Sequence, residues 1–150
     1  HTVTRRQRQM CIRDSSYTGN NRTHMIRIPD PGRFELRLMD GSANPYLLQA
    51  SILAAGLDGL KNKIDPGNPL HCNMYEDFAK YPDLPKLPDE LDQSLSQLKN
   101  NKSMNDAFGS DVISSYVKLR NTEIKEFKSK ESFDKAKVVT KWEKDNTLDC

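Results

Sequence analysis

Asn21-Arg22-Thr23-His24-Met25-Ile26-Arg27-Ile28-Pro29-Asp30-Pro31-Gly32-Arg33-Phe34-Glu35-Leu36-Arg37 decides how the chain is read. Four arginines and one glutamate are interleaved with Met25, Ile26, Ile28, Phe34 and Leu36. Pro29-Asp30-Pro31-Gly32 is a turn signal, because proline presets φ and glycine permits positive φ. The stretch therefore predicts a β-hairpin. Strand side chains alternate, so Arg33, Glu35 and Arg37 share one face and Phe34, Leu36 and Leu38 the other. The apolar face belongs against a core. The charged face is a row of guanidinium groups around one carboxylate.

Like charges at i, i+2 repel unless something anionic lies between them. Arginine suits planar oxyanions such as phosphate and carboxylate, which it grips with two hydrogen bonds. Glu35 can pair with these arginines or offer oxygen to a hard cation such as Mg²⁺. The bland alternative is a solvated strand face with a Glu–Arg ladder. Register decides whether Arg27 joins the charged face. A pairing of Ile28 with Arg33 would put Arg27 beside Phe34. A pairing of Arg27 with Arg33 across residues 28–32, or a bulge with the same effect, collects the charge on one side. The longer connection is the expectation.

Four motifs occur in order: Asn21-Arg22 with Arg27-Ile28-Pro29, then Arg33-x-Glu35-x-Arg37, then Ser42-Ala43-Asn44-Pro45-Tyr46-Leu47, then Ala54-Ala55-Gly56-Leu57-Asp58-Gly59-Leu60-Lys61-Asn62-Lys63 with Pro66-Gly67. Together they resemble the C-terminal part of the catalytic domain of bacterial glutamine synthetases. The ending, Thr140-x-Trp142-Glu143 and Thr147-Leu148-Asp149-Cys150, is similar to the type III subgroup. The resemblance implies an α+β fold class: a C-terminal fragment of that catalytic domain, with an antiparallel β-hairpin from a larger sheet, a buried helix and a mainly helical C-terminal region. It also implies an ATP-dependent glutamate–ammonia ligase that forms glutamine through γ-glutamyl phosphate. The family members are cytoplasmic dodecamers with active sites between subunits.

By the same resemblance, Arg22 is catalytic and contacts both glutamate and the nucleotide phosphates. Arg27 matches an ATP-phosphate arginine, Arg33 a further ATP-binding arginine, and Arg37 a glutamate-binding arginine. Glu35 matches a ligand of the Mg²⁺ or Mn²⁺ that bridges the phosphates. Phosphoryl transfer rests on positioning and on neutralising spreading negative charge, which arginines and a divalent metal supply. Many family members carry a longer linker with a lysine near the adenine. Pro29–Gly32 is short and lacks one, so adenine contacts do not carry over. The other metal carboxylates, the metal histidine and the ammonia site lie upstream in the family. The 150-residue chain is thus expected to lack ligase activity by itself. The nucleophile is open between ammonia, as the default, and methylamine or another amine. A non-catalytic relative that binds glutamate or a partner, and a basic-hairpin nucleic-acid binder, are the readings from other classes.

Residues 1–15 do not fit the family. They hold four arginines and two glutamines, with no apolar signal-peptide core and no periodicity. The run Arg6–Ser15 is similar to translated sequencing-adapter read-through, so a disordered, non-native tail is expected, followed by the catalytic-domain part at 16–150. The formal charge of +2 then says nothing about partners. No nucleic-acid or membrane partner is expected. The three cysteines, Cys11, Cys72 and Cys150, form no zinc-ligand spacing and no disulfide framework, which favours a reducing compartment.

Tyr17–Asn21 reads as a polar lead-in. Residues 42–62 predict a helix, capped by Ser42 or Asn44 with Pro45 in its first turn, and apolar on nearly all faces. Residues 64–89 carry five prolines and predict a long loop. Tyr75, in Asn73-Met74-Tyr75, matches a tyrosine adenylylated in some family members, but Glu76-Asp77-Phe78 departs from that pattern and an ordinary loop tyrosine is favoured. Beyond residue 88, Leu91, Leu95 and Leu98 recur at helical spacing. Ser103–Phe108 predicts a short turn ended by Gly109. A helix opening at Ser110 presents Val112, Ile113, Tyr116, Val117 and Leu119, with Ile124 and Phe127 extending it. Phe133, Val138, Val139 and Trp142 are expected anchors of the charge-rich end.

Overall fold

The computed structural model describes residues 15–39, 41, 43–88, 90–130 and 140–147. Residues 1–14 of the expected tail, Ser42, Phe133, Val138, Val139 and the last three residues lie outside this set. The chain divides into two compact units, residues 1–41 with 67–87 and residues 42–66 with 88–150.

The first unit holds a three-stranded sheet in the order β1 (Tyr17–Thr18), β2 (Ile26–Asp30), β3 (Arg33–Leu36). β2 and β3 form the expected antiparallel hairpin. The polar lead-in contributes a strand. β1 pairs parallel with β2, with Tyr17 beside Ile26 and Thr18 beside Arg27. Two residues are too short to show alternation, and the partner alone makes them a strand.

The hairpin register corrects the expected long connection. Asp30 pairs directly with Arg33, so only Pro31-Gly32 bridges the strands. Gly32 has φ of 79°, the positive value required after proline at the second corner of such a turn. A bulge lies between Arg27 and Asp30, where Ile28 and Pro29 stand opposite Phe34 alone. Pro29 explains it: β2 is the central strand, and a residue without an N–H is tolerated there only at a break in the ladder. The extra residue restores parity, so Arg27 faces Glu35 and Ile26 faces Leu36.

Residues 67–87 back this sheet. Leu70 donates its backbone N–H to Tyr17 (3.0 Å), and the Tyr17 hydroxyl donates to the Gly67 carbonyl (2.7 Å). The proline-rich segment is not all loop, since it contains one helical turn at Met74–Asp77 and a 3₁₀ turn at Phe78–Lys80. Met74 is buried. The apolar hairpin face does not find its expected core among the described residues, as Phe34 is 57% exposed and Ile28 40%.

The second unit is helical. α1 (Pro45–Lys61) starts where Asn44 accepts the backbone N–H groups of Tyr46 (3.0 Å) and Leu47 (3.1 Å), with Pro45 in the first turn. Its C-terminus folds back through Lys63 N–H to Leu60 O and Ile64 N–H to Gly59 O, which satisfies two orphan carbonyls. The expectation that α1 is buried is overturned: none of its residues is buried, and Tyr46, Leu53, Leu57 and Leu60 are largely exposed. An all-round apolar helix needs neighbours on several sides. Here one face meets α4 (Lys102–Phe108), where Ser103 donates to Asp58 (2.8 Å).

α3 (Leu91–Asn100), preceded by α2 (Met74–Asp77) in the first unit, packs against α5 (Ser110–Lys130), and Leu95 of α3 and Ile113 of α5 are buried. α4 is a true short helix rather than a turn, and Gly109, at φ of 84°, ends it so that α5 can begin at once. α6 (Lys141–Thr147) opens with a reciprocal cap: the Thr140 hydroxyl accepts from Glu143 N–H (3.2 Å), and the Glu143 carboxylate accepts from Thr140 N–H (2.8 Å). Trp142 is buried and meets the edge of Phe127 at 5.5 Å between centroids.

Candidate anion and metal site on the hairpin

Because the bulge sets the parity, the charged groups converge. Nη1 of Arg27 donates to both Glu35 oxygens, at 2.8 and 2.7 Å. Nη2 of Arg33 lies 3.3 Å from Asp30 and 3.8 Å from Glu35. Arg27 hydrogen bonding, joined by the charges of Arg27, Arg33 and Arg22, holds the Glu35 carboxyl below its ordinary range against the opposing pull of desolvation. Arg27 and Arg33 therefore meet at one carboxylate, whereas Arg37, expected on the same face, does not pair with it.

The four arginines are not equivalent. The Arg27 side chain is only 13% exposed and is fully engaged, since Nε also donates to Asn20 Oδ1 at 2.9 Å and Nη2 to the same oxygen. Arg33 is 60% exposed. Arg22 is exposed and makes no hydrogen bond among the described residues. Arg37 stands apart: it makes no ion pair with Glu35, and its Nη1 is buried without a hydrogen-bond partner. Its backbone N–H bonds Met25 O at 2.9 Å. A buried guanidinium nitrogen without an acceptor is costly and calls for an anionic or carbonyl oxygen.

Sequence reasoning missed the residues that hold this cluster. Asn20 orients Arg27. Asp30, read only as a turn residue, is the direct partner of Arg33. His24 is fully buried, with Nδ1 2.9 Å from the Ser16 hydroxyl and Nε2 3.0 Å from the Cys72 carbonyl. Its partners are distant in sequence, so no local pattern could announce it. Cys72, the described cysteine, is free.

Among the described residues no group of three or more His, Cys, Asp or Glu side chains could hold a metal ion. Glu35, 37% exposed, offers a single hard-oxygen ligand to an open face. That fits a cation whose remaining ligands come from phosphate oxygens or from groups outside these residues. No helix of the described residues is long and apolar enough to cross a membrane.

The chain is α+β, with guanidinium groups gathered around one carboxylate. A family model for the glutamine synthetase catalytic domain matches residues 13–142, and the chain belongs to that family. It is 46% identical over 134 residues to a glutamine synthetase of Rhizobium meliloti (strain 1021), covering 89% of this chain and 29% of that protein. It is 40% identical over 114 residues to a glutamate–methylamine ligase of Methyloversatilis universalis, covering 74% and 25%. A solved structure described as a GmaS/ADP complex superposes with a TM-score of 0.76 at 39% identity, over 96% of this chain and 31% of that one. The chain thus spans less than a third of the length of the relatives it matches.

Proposed function

We propose that the chain supplies the phosphate- and carboxylate-binding arginines of an ATP-dependent glutamate–ammonia ligase. The observation that carries this reading is the convergence of Arg27 and Arg33 on Glu35, with Arg22 exposed in the turn before β2. Arg22 and Arg33, both exposed, receive the outer phosphate oxygens of ATP. Arg27, pinned by Asn20, holds the Glu35 carboxylate ionised and oriented. Arg37, with its unmatched buried nitrogen, takes the substrate glutamate. Glu35 donates one oxygen to Mg²⁺ or Mn²⁺. That cation, when bound, neutralises the phosphate charge. Positioned positive charge is what a phosphoryl-transfer transition state demands, and none of these residues needs to change protonation. Ammonia is the nucleophile of this reading, and a cytoplasmic dodecamer its assembly.

The similarity to a protein named glutamate–methylamine ligase favours a second amine substrate. The test is product formation by the full-length protein with glutamate, ATP and Mg²⁺, offered ammonia or methylamine in turn. Glutamine formation that is lost in Glu35→Ala is expected. Turnover with methylamine alone would move the assignment to the amine ligases, and metal-dependent turnover that survives Glu35→Ala would overturn the role of Glu35.

A further inference from the structure

Arg22 sits in a turn whose other side chains are all committed elsewhere. Asn20 holds Arg27. Asn21 Oδ1 accepts from both the backbone N–H and the hydroxyl of Thr23, each at 2.9 Å, while its Nδ2 donates to the Cys72 carbonyl at 2.9 Å. The Thr23 hydroxyl in turn accepts from the Met74 N–H at 3.1 Å. His24 Nε2 reaches the same Cys72 carbonyl at 3.0 Å. A carbonyl only accepts, so Nε2 carries a proton, and in the neutral ring Nδ1 accepts from the Ser16 hydroxyl. Two side-chain donors thus fill both lone pairs of one carbonyl. The residues on either side of Arg22 are tied to residues 72–74, about fifty positions away in the chain.

We infer that Asn21 and His24 are positioning residues for Arg22, clamping its turn to the Cys72 carbonyl so that the exposed guanidinium is presented from a fixed backbone. The Arg22 side chain is exposed. Its direction is set by the backbone beneath it, and that backbone is fixed by part-buried bonds on either side, with His24 itself fully buried. The same bonds make residues 72–74 a second handle on the site. A displacement of the Cys72 carbonyl moves both donors together. The inference rests on the proposed phosphate-binding role of Arg22.

The test is a double-mutant cycle on ATP affinity in the full-length protein, with Asn21→Ala, Arg22→Gln and the pair. Asn21→Ala is expected to weaken ATP binding about fivefold or more when Arg22 is present and less than about twofold in the Arg22→Gln background. Equal weakening in both backgrounds would overturn the inference, since it would mark general structural damage. His24→Gln, which keeps an N–H donor, is expected to retain affinity that His24→Leu loses; equal loss in both would count against the clamp. If Arg22→Gln leaves ATP affinity unchanged, the phosphate role fails, and the clamp is then decided without nucleotide by amide hydrogen exchange at Arg22, Thr23 and Met74, whose N–H bonds the Thr23 hydroxyl. Asn21→Ala and His24→Leu should each speed that exchange, and His24→Gln should not. Exchange unchanged in Asn21→Ala and His24→Leu would overturn the clamp.

Discussion

Arg27 Nη1 bridges both carboxylate oxygens of Glu35, at 2.8 and 2.7 Å, from directly across the hairpin. This contact is the largest cause of the depressed Glu35 pKa, ahead of the through-space charges of Arg27, Arg33 and Arg22. A carboxyl whose folded pKa lies below its unfolded value favours folding once it is ionised in both states. The contribution is therefore complete above the ordinary glutamate range and is lost as pH falls through the folded value. Arg27→Met is expected to raise the Glu35 midpoint toward the ordinary range, followed by ¹³C NMR of the side-chain carboxyl. An unchanged midpoint would show that the contact does not govern the carboxylate.

The turn offers a second prediction. Gly32 has φ of 79°, and a Cβ added there would meet nothing within 4 Å. Gly32→Ala therefore meets no clash and costs only the left-handed backbone penalty, about 1 kcal/mol. Gly32→Asn should cost less, because asparagine tolerates this region better. Urea unfolding of the two variants measures the difference. Equal losses would mean that the turn relaxes to another form.

These two positions show what the sequence could and could not reveal. The turn at Pro31-Gly32, the hairpin itself and the caps at Asn44 and Gly109 are local signals, and each lies where its chemistry predicts. The bulge was legible in principle, since Pro29 in a central strand forces one, yet the loop length was overestimated because Asp30 was counted as turn rather than as the partner of Arg33. His24, Asn21 and β1 were not legible. Their partners lie in residues 67–74 or on a neighbouring strand, and only tertiary contact defines them. The helix at residues 45–61 failed for the opposite reason. Its apolar pattern reports what it can bury, and the described residues cover only part of it.

That uncovered pattern is testable. Leu57 is 65% exposed, whereas Leu95 is 3% exposed. In the 150-residue chain Leu57→Lys should change unfolding free energy by no more than about 0.5 kcal/mol and reduce self-association. Leu95→Ala should cost roughly 2–5 kcal/mol. Urea unfolding and sedimentation velocity read the two effects. A Leu57→Lys loss as large as that of Leu95→Ala would mean that α1 is packed in solution.

Lys63 is the described non-glycine residue with positive φ, at 51°. It occupies the left-handed position just past α1, where its N–H bonds Leu60 O (3.3 Å) and the next N–H, of Ile64, bonds Gly59 O (2.9 Å). Helices commonly place glycine here, because any Cβ crowds the following carbonyl. Lysine is retained at a strain of about 1–2 kcal/mol, softened by its charge at the negative end of the helix dipole. Lys63→Gly relieves that strain but gives the unfolded chain more freedom, worth about 0.4–1 kcal/mol in the other direction. The net expectation is a gain of up to about 1 kcal/mol in unfolding free energy. Lys63→Val, with a branched Cβ and no charge, should lose stability by a similar amount. Chemical denaturation of both variants decides it: a loss on Lys63→Gly would show that the lysine charge, not the backbone, governs this helix end.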